Sequence, residues 1–185
     1  MRTFIAIPIP EECLQVLERA QKELQSYDAD VRWASIRSIH LTLKFLGEVN
    51  RDLPRELAQS LRAALPQAQP FSLCLAELGS FPGSGNPRVL WCGIGGEQET
   101  LSHLQSVVEA TCTHYGFPAE ERAFNPHLTL GRVKGRRNLR PLMEKIGRVK
   151  ALECSFRADH FHIYKSVLKP QGAVYTVMET IALGK

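Results

Sequence analysis

The order His-Leu-Thr-Leu occurs twice, at residues 40–43 within SIHLTLKFLG and at residues 127–130 within NPHLTLGR. Imidazole titrates near neutral pH, so one of two such groups can be neutral and accept a proton while the other is charged and donates one. Threonine hydroxyls can donate hydrogen bonds to non-bridging phosphate oxygens, whose charge must be held while a group is displaced. Paired His-x-Thr therefore suits acid–base chemistry at phosphorus. Such a site needs no carboxylate cluster. Two imidazoles are also fewer than the three protein ligands of a usual catalytic zinc site, so neither a metal nor another cofactor is expected.

Successive side chains of a strand point to opposite faces. In each copy the leucines share one face, which packs on helices, and the histidine and threonine share the other. A single copy would be an ordinary half-buried strand. Two copies inside a repeat that preserves little else are harder to ascribe to packing, which needs only the leucines. If the repeat forms two lobes about a pseudo-two-fold axis, His40, Thr42, His127 and Thr129 converge on one cleft.

The elements that must position these four residues repeat as well. His40 and His127 lie 87 positions apart, and the same shift aligns FIAIPIPEECLQVL with WCGIGGEQETLSHL without a gap. Each half opens with an apolar β-rich run, TFIAIPI or RVLWCGI, followed by a polar turn. A helix comes next, with Leu14, Leu17 and Leu24 in one half and Leu101, Leu104, Val107 and Val108 in the other. After the HLTL strand comes a second helix, over about Pro54 to Leu65 and Leu139 to Gly147, with proline near its start. Further strands are expected at FSLCLAEL, SFRADHFHIYKSVL and AVYTVMETIAL. The pattern predicts an α+β fold of two pseudo-symmetric lobes, each a sheet backed by helices, with a central cleft. With no long linker, residues 1–185 are expected to form a single bilobed domain.

The chain has 185 residues, 44% of them hydrophobic and 23% charged, which fits a globular protein rather than a disordered or fibrous one. A net charge of +4 permits an anionic partner without requiring one. The five cysteines are odd in number, far apart and without a Cys-x-x-Cys pair, so reduced thiols in a cytoplasmic protein are expected. The start MRTFIAIPIPEE predicts a first strand rather than a signal peptide, and no apolar stretch is long enough to cross a bilayer.

HLTLKFLG and FNPHLTLGR, with PRVLW ahead of the second helix-bearing unit and IYKSVL near the end, resemble the two-histidine (2H) phosphoesterase superfamily. Within it the chain is most similar to the RNA 2',3'-cyclic phosphodiesterase branch, also called the 2'-5' RNA ligase family. The resemblance implies hydrolysis of RNA 2',3'-cyclic phosphate ends to a 2'-phosphomonoester. It also implies that His40 is the proton donor, His127 the proton acceptor, and that Thr42 and Thr129 contact the phosphate. The residues alone leave the acid and base assignment open. The same pair serving a 5'-hydroxyl would give a 2'-5' RNA linkage. RNA ends or oligonucleotides are the expected substrate of a monomer with no obligate protein partner. Competing readings are a non-catalytic RNA or nucleotide binder and a phosphodiesterase acting on a small cyclic nucleotide or 2'-5' oligonucleotide.

Around the motifs, Arg132 could reach a phosphate with its guanidinium fork or be an exposed strand-end residue. From Arg132 to Lys150 there are eight basic residues and one acid, Glu144. Such a run is ordinarily a solvated face, with an RNA-backbone patch as the competing reading. Simple alternation puts Lys44 on the face of Thr42, and a solvent-exposed position is the competing expectation. Phe45, Trp91 and Tyr164 could stack a nucleobase, but core packing is the expected role of each. His103, His114, His160 and His162 are expected to be structural or surface residues.

Overall fold

The computed structural model describes residues 1–170 and 172–184. The first half of the chain runs β1 (Arg2–Pro8), α1 (Glu11–Gln25), β2 (Val31–Trp33), a 3₁₀ turn (Ile36–Ser38), β3 (His40–Glu48), α2 (Leu53–Ala64) and β4 (Phe71–Phe81). The second half runs β5 (Val89–Gly96), α3 (Gln98–His114), β6 (His127–Val133), α4 (Leu139–Arg148), β7 (Ser155–Ala158), β8 (His160–Lys169) and β9 (Gly172–Ala182). Both HLTL motifs open a strand, and both second helices stand where the sequence places them. Among the described residues no helix is long and apolar enough to cross a membrane.

Local chemistry explains the helices. Pro10 precedes α1, whose first turn carries Glu11 and Glu12 and whose last turn carries Lys22, each charge opposing the helix dipole. Cys13, Leu17, Gln21 and Leu24 recur every three or four residues and form its buried face. At the start of α2 the Asn50 side-chain oxygen accepts from Leu53 N at 2.8 Å, and Pro54 occupies the first turn, where a missing N–H costs nothing.

Two antiparallel sheets result, one ordered β3-β1-β8-β9 and the other β2-β6-β5-β4-β7. Leaving out β2, the second order repeats the first with β6 for β3, β5 for β1, β4 for β8 and β7 for β9. The expected pseudo-symmetry is therefore present, but the two lobes are not the two halves of the chain. β4 comes from the first half and pairs with β5 in the second sheet, whereas β8 comes from the second half and pairs with β1 in the first.

The helices cross over too. Gln21 on α1 donates to Leu130 O on β6 at 3.1 Å, and Glu109 on α3 holds Lys44 on β3 at 2.6 Å. The stretch SFRADHFHIYKSVL, expected as one strand, breaks at Asp159 so that β7 and β8 can serve different sheets. One continuous cluster of buried apolar side chains includes residues of both sheets.

Two expectations need correction. The gap-free alignment slips by two residues in the first strand. Thr42 lies opposite Ala6 and Thr129 opposite Trp91, so the counterpart of Ala6 is 85 positions on, not 87. Both sheets carry a bulge at the same point of that repeat, at Ile5/Ala6 in the first and Leu90/Trp91 in the second. The two-residue difference falls in the turn between each strand and its helix, since α1 and α3 begin 87 positions apart. The cysteines are not all reduced either: Cys13 and Cys154 form a disulfide across 141 residues of sequence. α1 packs on the second layer, which brings Cys13 to the segment leading into β7, and no local spacing in the sequence announces that pairing. Cys74, Cys92 and Cys112 are free, and burial pushes the Cys92 and Cys112 thiols up to about 12, well away from reactive thiolate.

Candidate active site

β3 and β6 approach each other where the two sheets meet, and a cleft of about 540 Å3 opens between them. Leu41, Leu43, Leu128 and Leu130 are all buried, while His40, Thr42, His127 and Thr129 all line the cleft. The alternation expected for HLTL holds in both strands, and the structure brings the four polar side chains together. Arg132 lines the same cleft.

Both imidazoles are anchored alike. His40 Nδ1 lies 2.8 Å from Ser38 O, and His127 Nδ1 lies 2.7 Å from Asn125 O, in each case the carbonyl two residues upstream. A carbonyl can only accept, so each Nδ1 carries the proton and each Nε2 is the nitrogen left for a ligand. A neutral ring in this pose offers a base at Nε2, and a charged ring in the same pose offers an acid there.

Their surroundings differ. The Phe4 ring stacks on His40 at 4.5 Å, and Tyr175 meets it edge-on at 5.2 Å. Burial among these rings holds the His40 pKa down to about 4, although the bond to Ser38 O pulls the other way. His127 has one aromatic neighbour by comparison, Phe81, edge-on at 5.0 Å. Trp91 supports Phe81 from 5.1 Å, and a Cβ added at Gly79 would collide with the Trp91 ring, so this close approach requires glycine. Trp91 thus packs as expected, as does Tyr164, which stacks on Phe4 at 5.1 Å.

The residues just after the first motif depart from expectation. Thr42 pairs with Ala6, but Lys44 pairs with Ile5, so Leu43 is an extra residue in the ladder and the alternation resets. Lys44 turns to the helix side, is buried, and binds Glu109 Oε1 at 2.6 Å and Pro118 O at 2.8 Å. It neither lines the cleft nor meets solvent. The same reset turns Phe45 into the cleft mouth, 67% exposed and lining it, where core packing was expected.

Arg2, Tyr175 and Leu168 also line the cleft, and sequence reasoning missed all three. Burial raises the Tyr175 hydroxyl pKa, with the charges of Arg2 and Arg132 opposing the rise. Arg2 could have been found, because it alternates with Phe4 on the strand beside β3. Tyr175 and Leu168 could not, since their place depends on β8 joining the first sheet. His103, His114, His160 and His162 lie outside the cleft lining. His162 Nδ1 lies 3.0 Å from Thr180 Oγ1, and His160 contacts Asp159.

Residues 9–169 match the model of the 2'-5' RNA ligase superfamily. The chain is similar to the RNA 2',3'-cyclic phosphodiesterase of Methanothermobacter thermautotrophicus, 36% identical over 184 residues that cover 99% of each. It is also similar to the protein of that name from Thermotoga maritima, 35% identical over 96% of this chain and 93% of the relative. A crystal structure of a Thermus thermophilus protein superposes with a TM-score of 0.80 at 31% identity, covering 99% of this chain and 98% of the other. The apo structure of E. coli LigT, 24% identical, shares the fold with a TM-score of 0.77, over 100% of this chain and 98% of that one.

Proposed function

The chain belongs to the 2'-5' RNA ligase superfamily, and from that premise we propose that it is an RNA 2',3'-cyclic phosphodiesterase whose acid–base pair is His40 and His127. The observation that carries this reading is the shared Nδ1–carbonyl anchor. It gives two rings the same tautomer and frees both Nε2 atoms in a cleft that also holds two threonines and Arg132.

Water attacks phosphorus in line with the bond that breaks, so base and acid act from opposite sides. His127 takes the proton of the attacking water. The P–O3' bond breaks, and His40 gives its proton to O3', leaving a 3'-hydroxyl and a 2'-phosphomonoester. Thr42, Thr129 and Arg132 hold the non-bridging oxygens as charge builds on them. With a 5'-hydroxyl in place of water, the same steps join two ends through a 2'-5' bond. Water is far more concentrated, so hydrolysis dominates in dilute solution.

At neutral pH the buried His40 is neutral in the free protein. An anionic phosphate beside it favours the charged ring, so the proton it later donates arrives with the substrate. RNA ending in a 2',3'-cyclic phosphate, incubated with the protein and a chelator, should yield a 2'-phosphate, read by phosphorus NMR. A strict need for a divalent ion would contradict the mechanism, and a 3'-phosphate product would reverse the seating of the ribose.

A further inference from the structure

The basic run that begins at Arg132 divides in the folded protein. Arg137 pairs with Asp28 at 3.3 Å, Arg140 with Glu144 at 3.2 Å, and Lys145 with Glu23. Lys150 donates to Gly147 O at 3.0 Å. Arg132, Lys134 and Arg136 make no ion pair among the described residues. They line a second cavity of about 490 Å3 together with Arg88, also unpaired there, and no acid lines it. Arg148, at the end of α4, is in no ion pair among the described residues either, but it lies outside both cavities. Arg88 comes from the segment before β5 and is held beside the run by two backbone bonds, Arg88 N to Phe81 O at 2.8 Å and Val133 N to Arg88 O at 2.9 Å. Asp30 lies next to this cavity without lining it: its backbone carbonyl accepts from Lys134 N at 2.8 Å, and its carboxylate lies against Gly135.

Arg132 lines both the catalytic cleft and this second cavity, so the two are contiguous. We propose that Arg88, Lys134 and Arg136 form a subsite for the phosphodiester backbone of an RNA strand, immediately upstream of the terminal nucleotide held in the cleft. The inference rests on the cyclic phosphodiesterase reading and narrows its substrate to an oligonucleotide. A 2',3'-cyclic phosphate ends the RNA, so the rest of the strand can leave the cleft only through O5' of the same ribose. The next phosphate along that path needs cations that are not already neutralised. Four exposed side chains with no carboxylate among them supply a backbone track, and Arg132 spans the step between the terminal phosphate and the next.

The test is the combined variant Arg88→Gln, Lys134→Gln, Arg136→Gln, assayed on adenosine 2',3'-cyclic monophosphate and on an RNA pentamer ending in a 2',3'-cyclic phosphate. All three side chains are exposed, so the fold should survive. On the pentamer kcat/KM should fall by about tenfold or more at low salt, and the slope of its logarithm against that of salt should shrink by roughly two. On the mononucleotide it should stay unchanged. Equal losses on both substrates, or no loss on the pentamer, would overturn the subsite. Should the wild-type protein turn over neither substrate, the enzymatic reading fails by itself. Fluorescence anisotropy with a pentamer ending in 2'-phosphate then isolates the subsite, and equal affinity for wild type and variant would overturn it.

Discussion

His40 and His127 share a tetrapeptide and an anchor, yet they occupy different environments. His40 lies beneath Phe4 and beside Tyr175, partly shielded from water, and its charged form is disfavoured. His127 is flanked by the edge of Phe81, and its anchoring bond is exposed. The motif therefore sets which nitrogen works, while the neighbouring strands set how readily it charges. Those neighbours come from outside the motif: Phe4 from β1, Tyr175 from β9, Phe81 from β4. A pair of identical motifs is made unequal by what is packed around it.

The largest expected effect comes from removing either imidazole. His40→Ala and His127→Ala should each lower kcat by roughly 10²–10⁴-fold, the usual weight of one acid or base. Only the base would still be needed by a substrate carrying a leaving group too acidic to need protonation. On a 2'-phosphodiester with an aryl leaving group, His40→Ala should recover most of its rate and His127→Ala should not. Recovery of the wrong variant would exchange the two roles.

A smaller effect separates the environments directly. The unfolded chain protonates His40 near 6.5 and the folded chain only at about 4. Between these values the unfolded state holds more protons, so stability falls as pH drops from 6.5 to 4 and is unaffected by this group above that window. The loss from this residue is at most on the order of 3 kcal/mol. Denaturant melts at pH 7 and pH 4 should show His40→Gln losing less stability than wild type over that interval. Calorimetry at pH 7 in buffers of different ionisation heat should also show proton uptake when a 2'-phosphate product binds wild type, and none with His40→Gln. Equal acid losses in both proteins would mean that the ring is hydrated after all.

The threonines should matter least. Thr42→Ala and Thr129→Ala each remove one hydrogen bond, so each should cost about tenfold in kcat/KM or less, with the pH profile unmoved. A loss as large as that of a histidine variant would give that hydroxyl a further part in the chemistry.

Much of this was legible in the sequence. The facing of His40 with Thr42, and of His127 with Thr129, follows from a period of two with leucines marking the buried side. The helices announce themselves by apolar spacing and by Pro54 near the start of α2. Illegible were features that depend on pairing rather than pattern. An extra residue at Leu43 exchanges the faces of Lys44 and Phe45, and nothing in KFLG signals it. Cys13 and Cys154 meet because α1 packs on the other layer, and Arg88 joins Lys134 and Arg136 because β5 takes β6 as its neighbour. Sequence periodicity describes each strand alone and cannot say which neighbour it will take.

The crossing of β4 and β8 between the sheets also bears on ancestry. Half of this chain, folded alone, would present a sheet with an open edge where the other half's strand belongs, an edge that invites pairing with another chain. Two half-length chains trading that strand would close both sheets and form a symmetric dimer with one cleft on its axis. Such a dimer, joined end to end, would have the arrangement that β3, β1 and β8 and β6, β5 and β4 show here. In a true homodimer each substitution would fall on both sides of the axis, and the two imidazoles would be bound to titrate alike. A single chain carrying both copies is free of that constraint, and aromatic rings can gather over one histidine without gathering over the other.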